Sequence, residues 1–409
     1  MSAQADPYWK SNVIIVTLGA FTTIVGMTLL LPILPLYIAD LGVDKPSSIA
    51  SWSGITYGIT YFAAALVAPL WGRLGDLYGR KLMLVRASFG MAISIALMGM
   101  ATSIEQLFFL RLLTGLAGGY ASGAAILAAT QAPRDQTGWA IGLVSSGIMA
   151  GNFLGPLIGG ILPIYIGIRA SFWVVGLVIF ITFLVTTFML RENKSLFQKR
   201  EVPDKAQSKP WRSVMTVPVI IALTTAMLLM FANMSIEPII TLYVQQLMTV
   251  DVGDLQQSHL QGVTFWAGII MSVTALGSAL SAKRLGSLAD KVGYQPVLII
   301  AILCSGLLLI PQAFVTSPLQ LAILRFFLGV ALGGLIPCIT ANLRQNISDD
   351  KLGTVLGLSV SCQYVGQVLG PLMGGYIGGY FGMEPVFFIT AFVLILCALG
   401  NMLLLVNKK

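Results

Sequence analysis

Charge is scarce in this chain. Asp, Glu, Lys and Arg supply only 10% of its 409 residues, against about a quarter in an ordinary soluble domain. Histidine occurs once, at His259 in a polar loop, so chemistry built on a histidine base or on clustered histidine ligands has almost nothing to draw on. The four cysteines, Cys304, Cys338, Cys362 and Cys397, all lie in apolar stretches of the second half, and none forms a Cys-x-x-Cys pair. They read as small buried residues, not as disulfide partners or metal ligands. No nucleophile motif and no soluble catalytic stretch is visible, which argues against an enzyme or a sensor. No cofactor and no metal is expected. A cleavable signal peptide is not expected either: Met1–Lys10 is polar, and the apolar run after it is too long for a cleaved segment.

Apolar residues are abundant instead, 56% of the chain, with a mean hydropathy of +0.87. Runs near the roughly 20 residues that cross a bilayer as helix recur along most of the length. Twelve candidate helices follow: Val13–Ile38, Ile49–Trp71, Met83–Ala101, Gln106–Thr130, Trp139–Ile161 and Phe172–Leu190, then Val214–Leu247, Val263–Ala282, Pro296–Phe314, Leu319–Leu343, Leu352–Ile377 and Val386–Val406. The expected fold is an all-α polytopic membrane protein. An N-terminal six-helix bundle covers 1–190, a polar central linker 191–213, and a C-terminal six-helix bundle 214–409.

The two halves repeat. Gly72, Leu74, Asp76 and Gly79 return 214 positions later as Gly286, Leu288, Asp290 and Gly293. Trp52 and Gly54 match Trp266 and Gly268, and Leu110-Arg111 matches Leu324-Arg325. At an offset of 215, Gly151, Gly155-Pro156 and Gly159-Gly160 match Gly366, Gly370-Pro371 and Gly374-Gly375. Six helices per unit make the repeats parallel, related by an axis along the membrane normal, which suits halves that rock against each other better than a channel. The basic residues fall on one side of such a topology: Arg73, Arg80, Lys81, Arg134, the seven cations of 191–212, Lys283, Arg284, Lys291 and Lys351 among them, with only Lys45 and Arg169 opposite. By the positive-inside rule both termini are cytoplasmic. The same rule accounts for the net charge of +8 without a nucleic-acid partner.

Several features suggest mechanism. The loop Gly72–Leu82 is short, glycine-rich and basic, and its one acid, Asp76, needs a cation or a helix N-terminus. The fifth span carries Gly147, Gly151, Gly155 and Gly159 with Pro156; the eleventh carries Gly366, Gly370, Gly374 and Gly378 with Pro371. Each set is a bare stripe on one helix face, read here as a movable seam between the halves, with simple packing as the alternative. Arg111 and Arg325 are charges inside helices, each either functional or snorkelling to an interface. Glu237, followed by the helix breaker Pro238, is the one acid well inside a span. An acid there marks a proton or substrate-cation site by default; the alternative is a water-exposed acid at the outer mouth. Thr22, Tyr57, Tyr61, Asn152, Asn233, Gln363 and Gln367 are candidate lining for a pathway, and the 17 Met suit an adaptable apolar cavity.

Gly72–Leu82 resembles the signature loop between helices two and three of the major facilitator superfamily. Leu110-Arg111-x₃-Gly115-x₃-Gly119 resembles the fourth-helix motif of its proton-linked members, and Gly147 to Gly160 resembles the fifth-helix motif of its antiporters. Pro32-Ile33-Leu34-Pro35 is similar to the helix-one pattern of its twelve-helix drug:proton antiporters. The resemblance implies a monomer in the cell membrane that exports amphipathic or cationic small molecules by alternating access, driven by proton entry. It implies that Gly72, Asp76, Gly79, Arg80 and Lys81 form a conformational latch, with Asp290 in the degenerate copy, and that Arg111 assists coupling. No acid is found in helix one or four, where some such antiporters have one, so coupling would fall to Glu237. A nutrient symporter, a uniporter or a lipid flippase is the competing reading, and the fifth-helix motif argues against uptake.

Overall fold

The structure is a computed structural model that describes residues 8–192, 215–248, 257–347 and 349–406. The first half holds α1 (Trp9–Thr28), α2 (Leu34–Asp40), α3 (Pro46–Tyr78), α4 (Arg80–Met98), α5 (Ile104–Ala117), α6 (Tyr120–Gln131), α7 (Thr137–Ile166) and α8 (Ile168–Met189). The second holds α9 (Val217–Ser235), α10 (Glu237–Leu247), α11 (Gln257–Val292), α12 (Tyr294–Leu309) with a short 3₁₀ turn after it, α13 (Pro318–Leu332), α14 (Leu335–Asn346), α15 (Asp349–Tyr380) and α16 (Glu384–Val406). Among the described residues, twelve spans are long and apolar enough to cross a membrane. The proposed linker lies outside the described residues except for Arg191 and Glu192 at its start.

Four spans are broken, and they are the first, fourth, seventh and tenth. The runs Val13–Ile38, Gln106–Thr130 and Leu319–Leu343, expected as continuous helices, are each two helices. In the first, the chain turns between Thr28 and Leu34, where Pro32 lacks an N–H for the ladder. In the fourth and tenth, Gly119 (φ 106°) and Gly334 (φ 78°) take a backbone conformation that favours glycine. In the seventh, Pro238 sits at the start of α10. A break inside a membrane frees carbonyl groups that need donors. At the α5–α6 break Trp71 Nε1 donates to the Leu116 carbonyl at 2.9 Å, and Arg86 donates to Leu116 and Gly118 at 3.1 and 2.9 Å. The Arg86 guanidinium lies 3.7 Å from the Trp71 ring centre. The matching positions in the other half are Leu285 and Ile300, which offer no side-chain donor.

Buried apolar clusters fill each half, and two of them reach across, through Leu36 of the first half and Leu242 of the second. The glycine stripes belong to this packing, which corrects the expectation that they meet across the halves. Gly147, Gly151, Gly155 and Gly159 face α1 and the turn after it: Thr17, Ile24, Thr28 and Leu29 occupy the space a side chain would need. Gly366, Gly370 and Gly374 face α9 in the same way, at Met227, Phe231 and Ser235. The seam between the halves lies one residue round the helix. A Cβ on Gly160 would stand 3.1 Å from the Gly268 Cα, and one on Gly375 would stand 2.9 Å from the Gly54 Cα. The Pro156 and Pro371 carbonyls close on Gly268 and Gly54. The two contacts, α7 on α11 and α3 on α15, are repeat copies of one another.

All four seam helices run far past these contacts to the basic end of the molecule. There Gly72 of α3, Gly138 and Gly142 of α7, Gly286 of α11, and Gly353 and Gly357 of α15 have open space where a side chain would project. The glycine contacts thus close the halves on each other toward the end that carries Asp40, Asp44 and Glu384, the acidic end, while the glycines at the basic end have no close neighbour.

Candidate functional site

Between the halves lies a chamber of about 320 Å³. Glu237, the first residue of α10, lines it together with Tyr61, Asn152, Asn233, Thr274 and Ser278. Four thioethers, Met149, Met230, Met234 and Met271, supply much of the remaining wall. Glu237 Oε2 is buried and has no hydrogen-bond partner among the described residues. A second compartment of about 280 Å³ adjoins at Tyr61 and continues toward the basic end past Thr114, Gln363, Tyr364 and Gln367. Of the sequence candidates, Tyr61, Asn152, Asn233, Gln363 and Gln367 thus reach the cavity. Thr22 does not: it hydrogen-bonds Thr182 at 2.8 Å, joining α1 to α8, while its neighbour Thr23 faces the second compartment. Tyr57 stands behind the wall, its hydroxyl donating to the Leu31 carbonyl at 3.1 Å.

The two intramembrane arginines are buried, Arg111 at 3% and Arg325 at 4% exposure, each with Nε and Nη2 lacking a partner. Neither snorkels. Arg111 lies 5.6 Å from the centre of the Tyr57 ring and within electrostatic reach of Tyr61. Arg325 is the arginine within electrostatic reach of Glu237. Sequence reading ranked Arg111 first, on its resemblance to the fourth-helix motif, and the tertiary arrangement brings Arg325 nearer to Glu237 in its influence.

At the basic end, Asp76 pairs with Arg80 one turn on, with the carboxylate exposed. Asp290 accepts from the Tyr294 hydroxyl at 2.6 Å, and Tyr294 is the repeat counterpart of Arg80. Among the described residues neither acid has a hydrogen bond or ion pair to the other half. Gly79 has φ 99° and ψ 154°, a region open almost only to glycine. Beside it sits a residue that sequence reading missed. Glu192 accepts from the backbone N–H groups of Arg80 and Lys81, both at 2.9 Å, and so caps α4. Asn12 holds the preceding residue: its amide donates to the Arg191 carbonyl at 2.6 Å and accepts from the Arg191 N–H at 3.1 Å. The stretch Gly72–Leu82, expected as a loop, is helix on both sides of a single turn residue, Gly79, and the start of the central segment is built against that turn. No spacing rule links positions 79 and 192, so only the fold reveals the pair.

The profile of the Major Facilitator Superfamily matches residues 16–271 and 252–409. The protein called Multidrug resistance protein MdtG in Salmonella typhimurium is 42% identical over 397 residues, covering 96% of this chain and 94% of that one. Its counterpart in Klebsiella pneumoniae strain 342 is 39% identical over 403 residues, covering 98% and 95%. Among solved structures, a bacterial homolog of the human lysosomal transporter Spinster, inward-facing and occupied, superposes with a TM-score of 0.77 at 15% identity, covering 98% of this chain and 97% of that one. The nucleoside transporter NupG gives 0.70 at 15% identity, covering 95% and 98%.

Proposed function

This chain belongs to the major facilitator superfamily, a family of transporters, and from that premise we propose that it exports amphipathic compounds, cationic ones among them, in exchange for protons. The full-length likeness to proteins named for multidrug resistance supports export. Glu237 carries the coupling: it is the one acid on the wall of the central chamber, and one of its oxygens is buried without a partner. An acid so placed can hold a proton or a cationic substrate, and the two compete for it. The methionine-rich wall adapts to cargo of different shape.

The basic end is the cytoplasmic face by the positive-inside rule, so both termini are cytoplasmic and the membrane is the cell membrane. The conformation described is then open inward, with the latch around Asp76 released. A single chain encloses the whole chamber, so a monomer suffices. The test is uphill dye or drug transport in proteoliposomes under an imposed pH gradient. Glu237→Gln is expected to abolish gradient-driven accumulation, to leave downhill exchange of neutral compounds, and to flatten the pH dependence of cation binding across pH 5–9. Full gradient-driven accumulation by the variant would remove Glu237 from the mechanism.

A further inference from the structure

A cavity of about 640 Å³, twice the volume of the Glu237 chamber, opens at the acidic end. The two share no lining residue. The Gly160–Gly268 contact and the hydrogen bond from Thr241 to the Pro32 carbonyl, 3.0 Å, lie in the closure between the halves. Both halves wall the outer cavity: α2 and the α7–α8 turn from one, α10 and the start of α11 from the other.

Its chemistry is uneven. Most of the wall is apolar, with Leu36, Pro163, Ile166 and Leu242 typical. The only charged side chains in the lining are two acids, Asp40 and Asp44. Asp40 is shared with Arg169 across 3.3 Å, whereas Asp44 has no ion pair among the described residues. In the wall sits Gln245, only 6% exposed, with no hydrogen bond to any described residue. Its neighbour Gln246 is satisfied by Glu384 at 3.1 Å. Its amide opens onto the cavity rather than onto a protein partner, so Gln245 offers a donor and an acceptor to something that enters.

We propose that this cavity is a second binding site, separate from the central chamber, for an amphiphilic cation arriving from the acidic side. The apolar wall takes its body, Asp44 and Asp40 its charge, and Gln245 a polar group on it. Because both halves contribute, the site is complete only while the acidic end is closed. A ligand bound there favours that state over the other and inhibits transport without competing for the central chamber. This goes beyond export itself and does not depend on Glu237 being the coupling acid.

Propidium, an aromatic dication that does not cross membranes, is the probe. Its binding to the full-length protein in nanodiscs is measured for wild type, Gln245→Leu, Asp44→Asn and Glu237→Gln, with melting temperature as the folding control. The expectation is a binding component weakened at least tenfold by Gln245→Leu and by Asp44→Asn, and retained in Glu237→Gln. In proteoliposomes, propidium on the acidic side alone should slow transport by wild type but not by the Asp44→Asn protein. Asp44 is exposed, so its variant keeps the test alive should Gln245→Leu not fold. Propidium binding that survives both outer substitutions, or that vanishes in Glu237→Gln, overturns the proposal.

Discussion

Glu237 owes its place to Pro238. The helix break sets the carboxylate at the start of α10, facing the chamber instead of buried among ladder hydrogen bonds. Scarcity of charge made this acid legible in the sequence. The arginine that influences it was not legible: the family motif pointed to Arg111, whereas Arg325 is the one within electrostatic reach of Glu237. Arg325→Gln is therefore expected to disturb the pH profile of substrate binding more than Arg111→Gln does, and pH titration of binding in both variants checks the order. The cavity list shows the same limit at finer grain. Thr22 and Thr23 differ by one step of about 100° round a helix, and no pattern in the polar residues said which of the two faced inward. At the loop, Gly79→Ala forces a glycine-only backbone region, at a cost of about 1–3 kcal/mol, and its methyl meets the Glu192 carboxylate at 2.7 Å. A lower melting temperature is expected. Glu192→Gln should lower it too, since the amide keeps one acceptor oxygen for the two α4 N–H groups and loses the charge that suits a helix N-terminus.

Among the elements, the repeat-related breaks α5–α6 and α13–α14 differ: side-chain donors at Trp71 and Arg86 clamp the first, and the second has none at the matching positions. Trp71→Phe and Arg86→Met each remove donors from the α5–α6 break. Arg86→Met is expected to cost about 1–3 kcal/mol through the Gly118 carbonyl left unpaired, read as a drop in thermal stability, and Trp71→Phe less, because the Leu116 carbonyl keeps its bond from Arg86. The α13–α14 break has no such donors at Leu285 and Ile300, so substitutions there, such as Ile300→Leu, should be nearly silent. The glycine stripes were plain in the sequence, yet their partners were not. Spacing of four says which face is bare; it does not say which helix covers it. Gly155→Leu should hence destabilise the first half, because Thr28 occupies the space. Gly160→Leu should instead prise the halves apart at the acidic end. Thiol labelling of cysteines placed in the chamber separates the two, with access from the acidic side rising only in Gly160→Leu.

At the scale of the molecule, the twelve spans, their pairing into two repeats and the basic bias of one face were all readable, since apolar length and repeat offset survive without knowledge of packing. The state of the latch was not. Asp76 is held only by Arg80 and is exposed, and an exposed ion pair contributes little to stability. Asp76→Asn is thus expected to leave the melting temperature unchanged while slowing transport several-fold, if the acid finds its second partner when the basic ends come together; stopped-flow efflux of the purified variant measures this.

The two glycine contacts also fix how far each gate can travel. They are repeat copies, so they sit at one depth, and a line through them is a fulcrum lying in the plane of the membrane. Along α3, from Pro46 to Tyr78, the arm from Gly54 to the acidic end is about 12 Å and the arm to the basic end about 36 Å at 1.5 Å per residue. The lever is unequal by about threefold. A small parting at the acidic end demands a wide swing at the basic end, so the basic gate must shut completely before the other can part enough for cargo. Distance labels at Trp139 and Val292 should accordingly sweep several times the distance of a pair placed at Tyr165 and Gln261.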